Sequence, residues 1–67
     1  MELGKKIRQF RFKAGLTQEQ LAEQLFVSRT AVSKWESGKA DPSTSNLLML
    51  AKLFKISPEE LLREVER

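Results

Sequence analysis

Apolar residues recur along the chain with helical spacing. Leu3, Ile7, Phe10 and Ala14 stand at offsets of 0, 4, 7 and 11, one stripe of an α-helix. Gly15 follows and suits a left-handed C-terminal stop, so a first helix is expected over about residues 2–14. Thr17-Gln18-Glu19-Gln20 has the form of a capping box, with Thr17 as N-cap and Gln20 reaching back. Leu21, Ala22 and Leu25 then give the buried side of a short second helix. Phe26-Val27 leads to Ser28, a good N-cap for a third helix that ends at Gly38. Pro42 forbids a continuous helix through the following loop, and Ser43, Thr44 and Ser45 offer caps for a fourth. Its apolar positions are Leu47, Leu50, Ala51, Leu53 and Phe54. Ser57-Pro58-Glu59-Glu60 starts a fifth: serine cap, proline at the first helical position, glutamate at the third. Leu61, Leu62 and Val65 supply its buried side. No segment alternates with the period of a strand. The pattern predicts an all-α fold, a compact bundle of five short helices forming one domain over residues 1–67.

Composition changes this picture mainly by exclusion. At 67 residues the chain lies just below the roughly 70–80 at which a lone core is comfortable. It has no cysteine and no histidine, so disulfides and Cys/His zinc sites cannot help. Tight helix packing or assembly remains. With 40% hydrophobic and 31% charged residues it reads as globular. The longest apolar run, Leu47-Leu48-Met49-Leu50-Ala51, is far too short to span a membrane. The lysines near the N-terminus have no apolar run behind them, so no signal peptide is read and a cytoplasmic location is expected. No cofactor, metal or small-molecule ligand is indicated. The net charge of +3 leans toward an anionic partner. Its distribution says more: residues 1–39 carry +4 and residues 40–67 carry −1. A nucleic-acid face therefore belongs in the first forty residues. Lys5 and Lys6 are expected to be plain solvated charge.

The third helix, about residues 29–37, divides cleanly. With Arg29 at 0° and about 100° per residue, Ser33, Ser37, Thr30 and Lys34 fall between about 40° and 140°. Ala31, Trp35 and Val32 fall between about 200° and 300°. Val32 and Trp35 can pack inward while Arg29, Thr30, Ser33 and Lys34 face out. Those outward side chains suit the donors, acceptors and thymine methyl of a major groove. Arg29 and Thr30 also sit where a helix N-terminus favours phosphate. Periodicity alone favours an ordinary solvated face of an amphipathic helix.

Longer motifs add to this. Ile7-Arg8-Gln9-Phe10-Arg11, Gly15-Leu16-Thr17-Gln18-Glu19-Gln20-Leu21-Ala22, Val27-Ser28-Arg29, Val32-Ser33-Lys34-Trp35-Glu36-Ser37-Gly38-Lys39, Pro42, Leu50-Ala51-Lys52-Leu53-Phe54 and Ile56-Ser57-Pro58-Glu59-Glu60-Leu61-Leu62 follow in order. Together they resemble the Cro/C1-type (XRE) helix-turn-helix domain of phage and bacterial transcriptional repressors. The resemblance implies a lambda-repressor-like five-helix domain. Its helix-turn-helix would occupy about residues 17–37, with helix three in the major groove. It implies a sequence-specific regulator of transcription, a repressor, bound to double-stranded DNA as a homodimer on a palindromic operator. Arg29, Thr30, Ser33 and Lys34 match the base-reading positions. Thr17 and Gln18 match residues that grip phosphate, as do Ser37 and Lys39, and the cap residue Ser28 is counted with them. Arg11 and Glu36 match an ion pair inside the family's fold.

One position departs from the family. Phe26 stands where a glycine or asparagine is usual, consistent with a positive φ that would strain phenylalanine. It either covers the junction of helices two and three or touches a partner. A second reading makes helices four and five an interaction surface, since Leu47, Leu48, Leu61, Leu62 and Val65 exceed what a tiny core needs. An enzyme is the weakest reading: there is no His, Cys or Tyr, a single Asp and no phosphate-cradling loop. Glu64-Val65-Glu66-Arg67 carries no stop signal, so the chain reads either as a complete small regulator or as the N-terminal domain of a longer one.

Overall fold

The computed structural model describes residues 3–62. Its elements are α1 (Leu3–Lys13), α2 (Gln18–Leu25), α3 (Arg29–Ser37), α4 (Thr44–Phe54) and α5 (Pro58–Leu62). Five helices and an all-α class match the expectation. The capping side chains explain the starts. Thr17 Oγ1 accepts from the Gln20 amide at 3.0 Å, and Gln20 Oε1 accepts from the Thr17 amide at 2.9 Å, closing the box. Ser28, Ser43 and Ser57 each accept the amide three residues on, from Ala31, Asn46 and Glu60. Of the three hydroxyls offered before α4, Ser43 is the one used.

Four helix ends share one construction. The amides of Leu16, Val27, Lys39 and Ile56 reach back five residues to the carbonyls of Arg11, Ala22, Lys34 and Ala51, at 2.9–3.1 Å. The residue before each has positive φ: Gly15 at 73°, Phe26 at 59°, Gly38 at 82° and Lys55 at 62°. This is the Schellman stop, and it turns the next side chain toward the domain. Leu16, Val27 and Ile56 accordingly pack against the core. The stop at Gly15 also leaves Ala14 outside α1 and exposed, so the apolar stripe of α1 ends at Phe10.

The core gathers Leu3 and Ile7 of α1, Leu21, Ala22 and Leu25 of α2, Val32 and Trp35 of α3, Leu50 of α4 and Leu61 of α5. Phe10 and Phe54 stack beside it with centroids 5.4 Å apart. α3 packs against both α1 and α2 and is thereby held from its apolar side. Gly4 permits the close approach: a Cβ there would meet the backbone carbonyls of Trp35 and Glu36.

Three expectations are corrected. Leu62 is 46% exposed, so Leu61 alone fills the buried side of α5 among the described residues; Val65 lies outside them. Phe26 has the positive φ but does not cover the α2–α3 junction, since it is 87% exposed and Val27 takes the inward seat. Lys6 is not free charge, because its Nζ donates to the Glu60 carbonyl at 2.8 Å and ties α1 to α5.

Candidate nucleic-acid interface

The apolar side of α3 decides what its other side can do. Val32 and Trp35 are buried against α1 and α2, which fixes the rotation of the helix about its axis. Arg29, Thr30, Ser33, Lys34 and Ser37 are then presented together, and with Lys39 they line one shallow hollow. The four residues assigned to base reading and two of those assigned to phosphate thus share a single surface.

A second hollow adjoins it, lined by Arg8, Arg11, Gln18, Ser33, Glu36 and Ser37. Its floor is an ion-pair network. Arg11 Nε donates to Glu36 Oε2 at 2.7 Å and Nη2 to Oε1 at 3.0 Å, a two-point grip. Arg11 Nη1 donates to the Leu16 carbonyl at 2.9 Å, and Gln18 Nε2 donates to Glu36 Oε1 at 3.1 Å. Both charged side chains are nearly out of solvent. The network links α1, the start of α2 and the end of α3. Gln18, assigned to phosphate, is therefore half-buried and spends one amide proton on Glu36. Its second amide proton and the backbone amides of Gln18 and Glu19, which precede the helical ladder, remain to face an anion.

The hydroxyls differ in what they can still offer. Thr17 and Ser28 accept backbone amides through Oγ and keep their own protons available for a phosphate oxygen. Ser37 uses its proton on the Lys34 carbonyl at 3.2 Å and must rotate to serve an anion. Lys34, Lys39 and Arg29 are exposed cations on the same side. The arrangement offers donors and positive charge on one face, without a group of three or more His, Cys, Asp or Glu that could hold a metal among the described residues.

The family model described as helix-turn-helix matches residues 5–61. The chain belongs to the helix-turn-helix family, in its Cro/C1 branch. Among relatives it is 55% identical to the HTH-type transcriptional activator BcrR of Enterococcus faecalis over 62 residues, covering 92% of this chain and 30% of that protein. It is 38% identical to repressor protein C2 of Salmonella phage P22 over 61 residues, covering 91% of this chain and 28% of that one. The chain thus spans less than a third of either relative. The crystal structure of the P22 c2 repressor with a synthetic operator superposes with a TM-score of 0.85 at 38% identity, covering 91% of this chain and 92% of that one.

Set in this helix-turn-helix frame, α2 and α3 form the motif and α1 braces it. Arg8, to which the sequence assigns no role, lines the hollow beside Gln18 and Ser37. Its position three residues before Arg11, on the same flank of α1, was the available signal.

Proposed function

We propose that this domain is a sequence-specific double-stranded DNA-binding transcriptional regulator that acts in the cytoplasm. The observation that carries the reading is the surface of α3. Arg29, Thr30, Ser33 and Lys34 are exposed on the side opposite Val32 and Trp35, in a domain that superposes on a repressor solved with its operator. Helix α3 enters the major groove, and these four side chains read base edges. Thr17, Gln18, Ser28, Ser37 and Lys39 hold phosphates on either side and set the register. The helix-turn-helix unit runs over about residues 17–37. The relatives include an activator and a repressor. Repression is the outcome where the operator overlaps a promoter.

Two copies bind a palindromic operator with half-sites about 34 Å apart. Leu48 and Leu62, 53% and 46% exposed on α4 and α5, supply the apolar contact between copies. Sedimentation at tens of micromolar checks this; a strict monomer overturns the dimer.

Selecting bound sites from a random duplex pool, then titrating the selected operator and a scrambled duplex at several salt concentrations, tests the reading. Binding prefers the operator and weakens linearly in log[salt]. Arg29→Ala lowers that preference by about 1–3 kcal/mol. Lys39→Ala weakens both duplexes alike. Binding without preference, or without salt dependence, overturns the proposal.

A further inference from the structure

We propose that Arg8, held against the ring of Phe12, is a backbone-phosphate contact that extends the DNA footprint from α2 and α3 onto α1. The inference rests on the DNA-binding reading above and names a residue that reading does not include.

Three observations lead to it. First, Arg8 is exposed on α1 and lines the hollow that also contains Gln18, Ser33 and Ser37. Gln18 and Ser37, both assigned to phosphate above, thus share one hollow with Arg8. Second, the other charges of the hollow cancel. Arg11 is committed to Glu36 by two hydrogen bonds, so the pair offers an incoming anion little net charge. Arg8 has no carboxylate partner among the described residues and leaves the hollow positive. Third, Phe12 is 59% exposed and its ring serves the guanidinium groups more than the core. The Arg8 Cζ lies 5.4 Å from the ring centroid, and the Arg11 Cζ 4.7 Å from it.

The chemistry follows from these positions. A guanidinium is planar, weakly hydrated and always charged, and its paired N–H groups match two phosphate oxygens. A long exposed arginine ordinarily loses rotamer freedom on binding. Resting on an aromatic face removes part of that freedom beforehand, so less is lost when the phosphate arrives. Phe12 is then a positioning residue and Arg8 the contact. Arg8 lies on α1, outside the helix that reads the bases, so it adds affinity without sequence preference.

The test uses the whole chain with the selected operator and a scrambled duplex, in monovalent salt from 0.05 to 0.5 M as a rough working range. Arg8→Gln removes the charge at an exposed site. The slope of log K against log[salt] becomes shallower by about 0.9 per bound protomer, equally on both duplexes. At 0.1 M salt this is roughly an eightfold loss per protomer, fading as salt rises. An unchanged slope overturns the inference. A loss confined to the operator overturns the phosphate assignment, since it marks a base contact. Phe12→Leu keeps the slope and weakens binding by about two- to fivefold. In the Arg8→Gln background Phe12→Leu has no further effect; a full additive loss shows that the ring acts through Arg11 and overturns its role as a platform. If the unaltered chain binds no duplex, the DNA-binding reading itself fails; if it binds normally and only the Arg8 slope is unmoved, this inference fails alone.

Discussion

Phe26 shows how a single residue can serve local geometry against its own preference. Its φ of 59° is a conformation that costs a side-chain-bearing residue about 1–2 kcal/mol. The side chain recovers none of this through burial, being 87% exposed. What the conformation secures is the seat of its neighbour, since the turn that strains Phe26 directs Val27 into the core. Phe26→Gly therefore stabilises the domain by about 0.5–1 kcal/mol, after the added entropy of glycine in the unfolded chain is set against the relieved strain. A thermal melt should show Tm rising by roughly 2–8 °C. Phe26→Ala, which keeps a Cβ, should leave Tm nearly unchanged. The unusual residue was visible in the sequence, but its direction was not. Which of two adjacent apolar side chains turns inward depends on the backbone closing five residues back, and hydrophobicity does not encode that. Gln18 illustrates the same limit: its bond to Glu36 spans eighteen positions and leaves no local signature.

At the scale of elements, capping chemistry carried the reading. Thr17, Ser28 and Ser57 start their helices as their residue types imply, and Gly15 and Gly38 follow their ends in left-handed conformations. The amphipathic split of α3 was equally legible, because burying Val32 and Trp35 dictates which side chains remain outside. Helix-to-helix distance was not legible. Gly4 reads as a poor helix residue, yet it lets α1 approach the end of α3, where a Cβ would lie 2.9 Å from the Glu36 carbonyl oxygen. Gly4→Ala thus opposes two effects. Alanine improves helix propensity by about 1 kcal/mol. Displacing backbone carbonyls in a packed contact costs about 1–3 kcal/mol. The second effect wins, because neither carbonyl belongs to a flexible side chain. Urea unfolding should show a lower midpoint for Gly4→Ala, whereas a raised midpoint would mean that α1 can slide away without loss.

For the molecule as a whole, the Arg11–Glu36–Gln18 network makes one body of α1, the start of α2 and the end of α3. Glu36→Ala leaves the Arg11 guanidinium buried without its carboxylate, at a cost of about 3 kcal/mol. For a domain of this size that is a fall in Tm of roughly 12–24 °C. Replacing both members together, Arg11→Met with Glu36→Leu, recovers most of the loss, because no unpaired charge then remains inside. Calorimetry of the single and double variants checks this; a double variant as unstable as Glu36→Ala would place the cost elsewhere. The charge asymmetry read from the sequence acquires a location here, since Arg8, Arg29, Lys34 and Lys39 all fall on the α1–α3 side. The repeated helix stops have a further consequence for how such a domain can vary. Each connector begins with a bend and, at three of the four, a side chain plugged into the interior, so its length is a gauge as much as a link. One residue added between Phe26 and Ser28 would unseat Val27 or break the stop that Val27 closes onto the Ala22 carbonyl, and α3 would lose one of the contacts that hold it. Substitution on the outer side of α3 leaves these stops untouched, while lengthening that joint would disturb the packing that holds the helix.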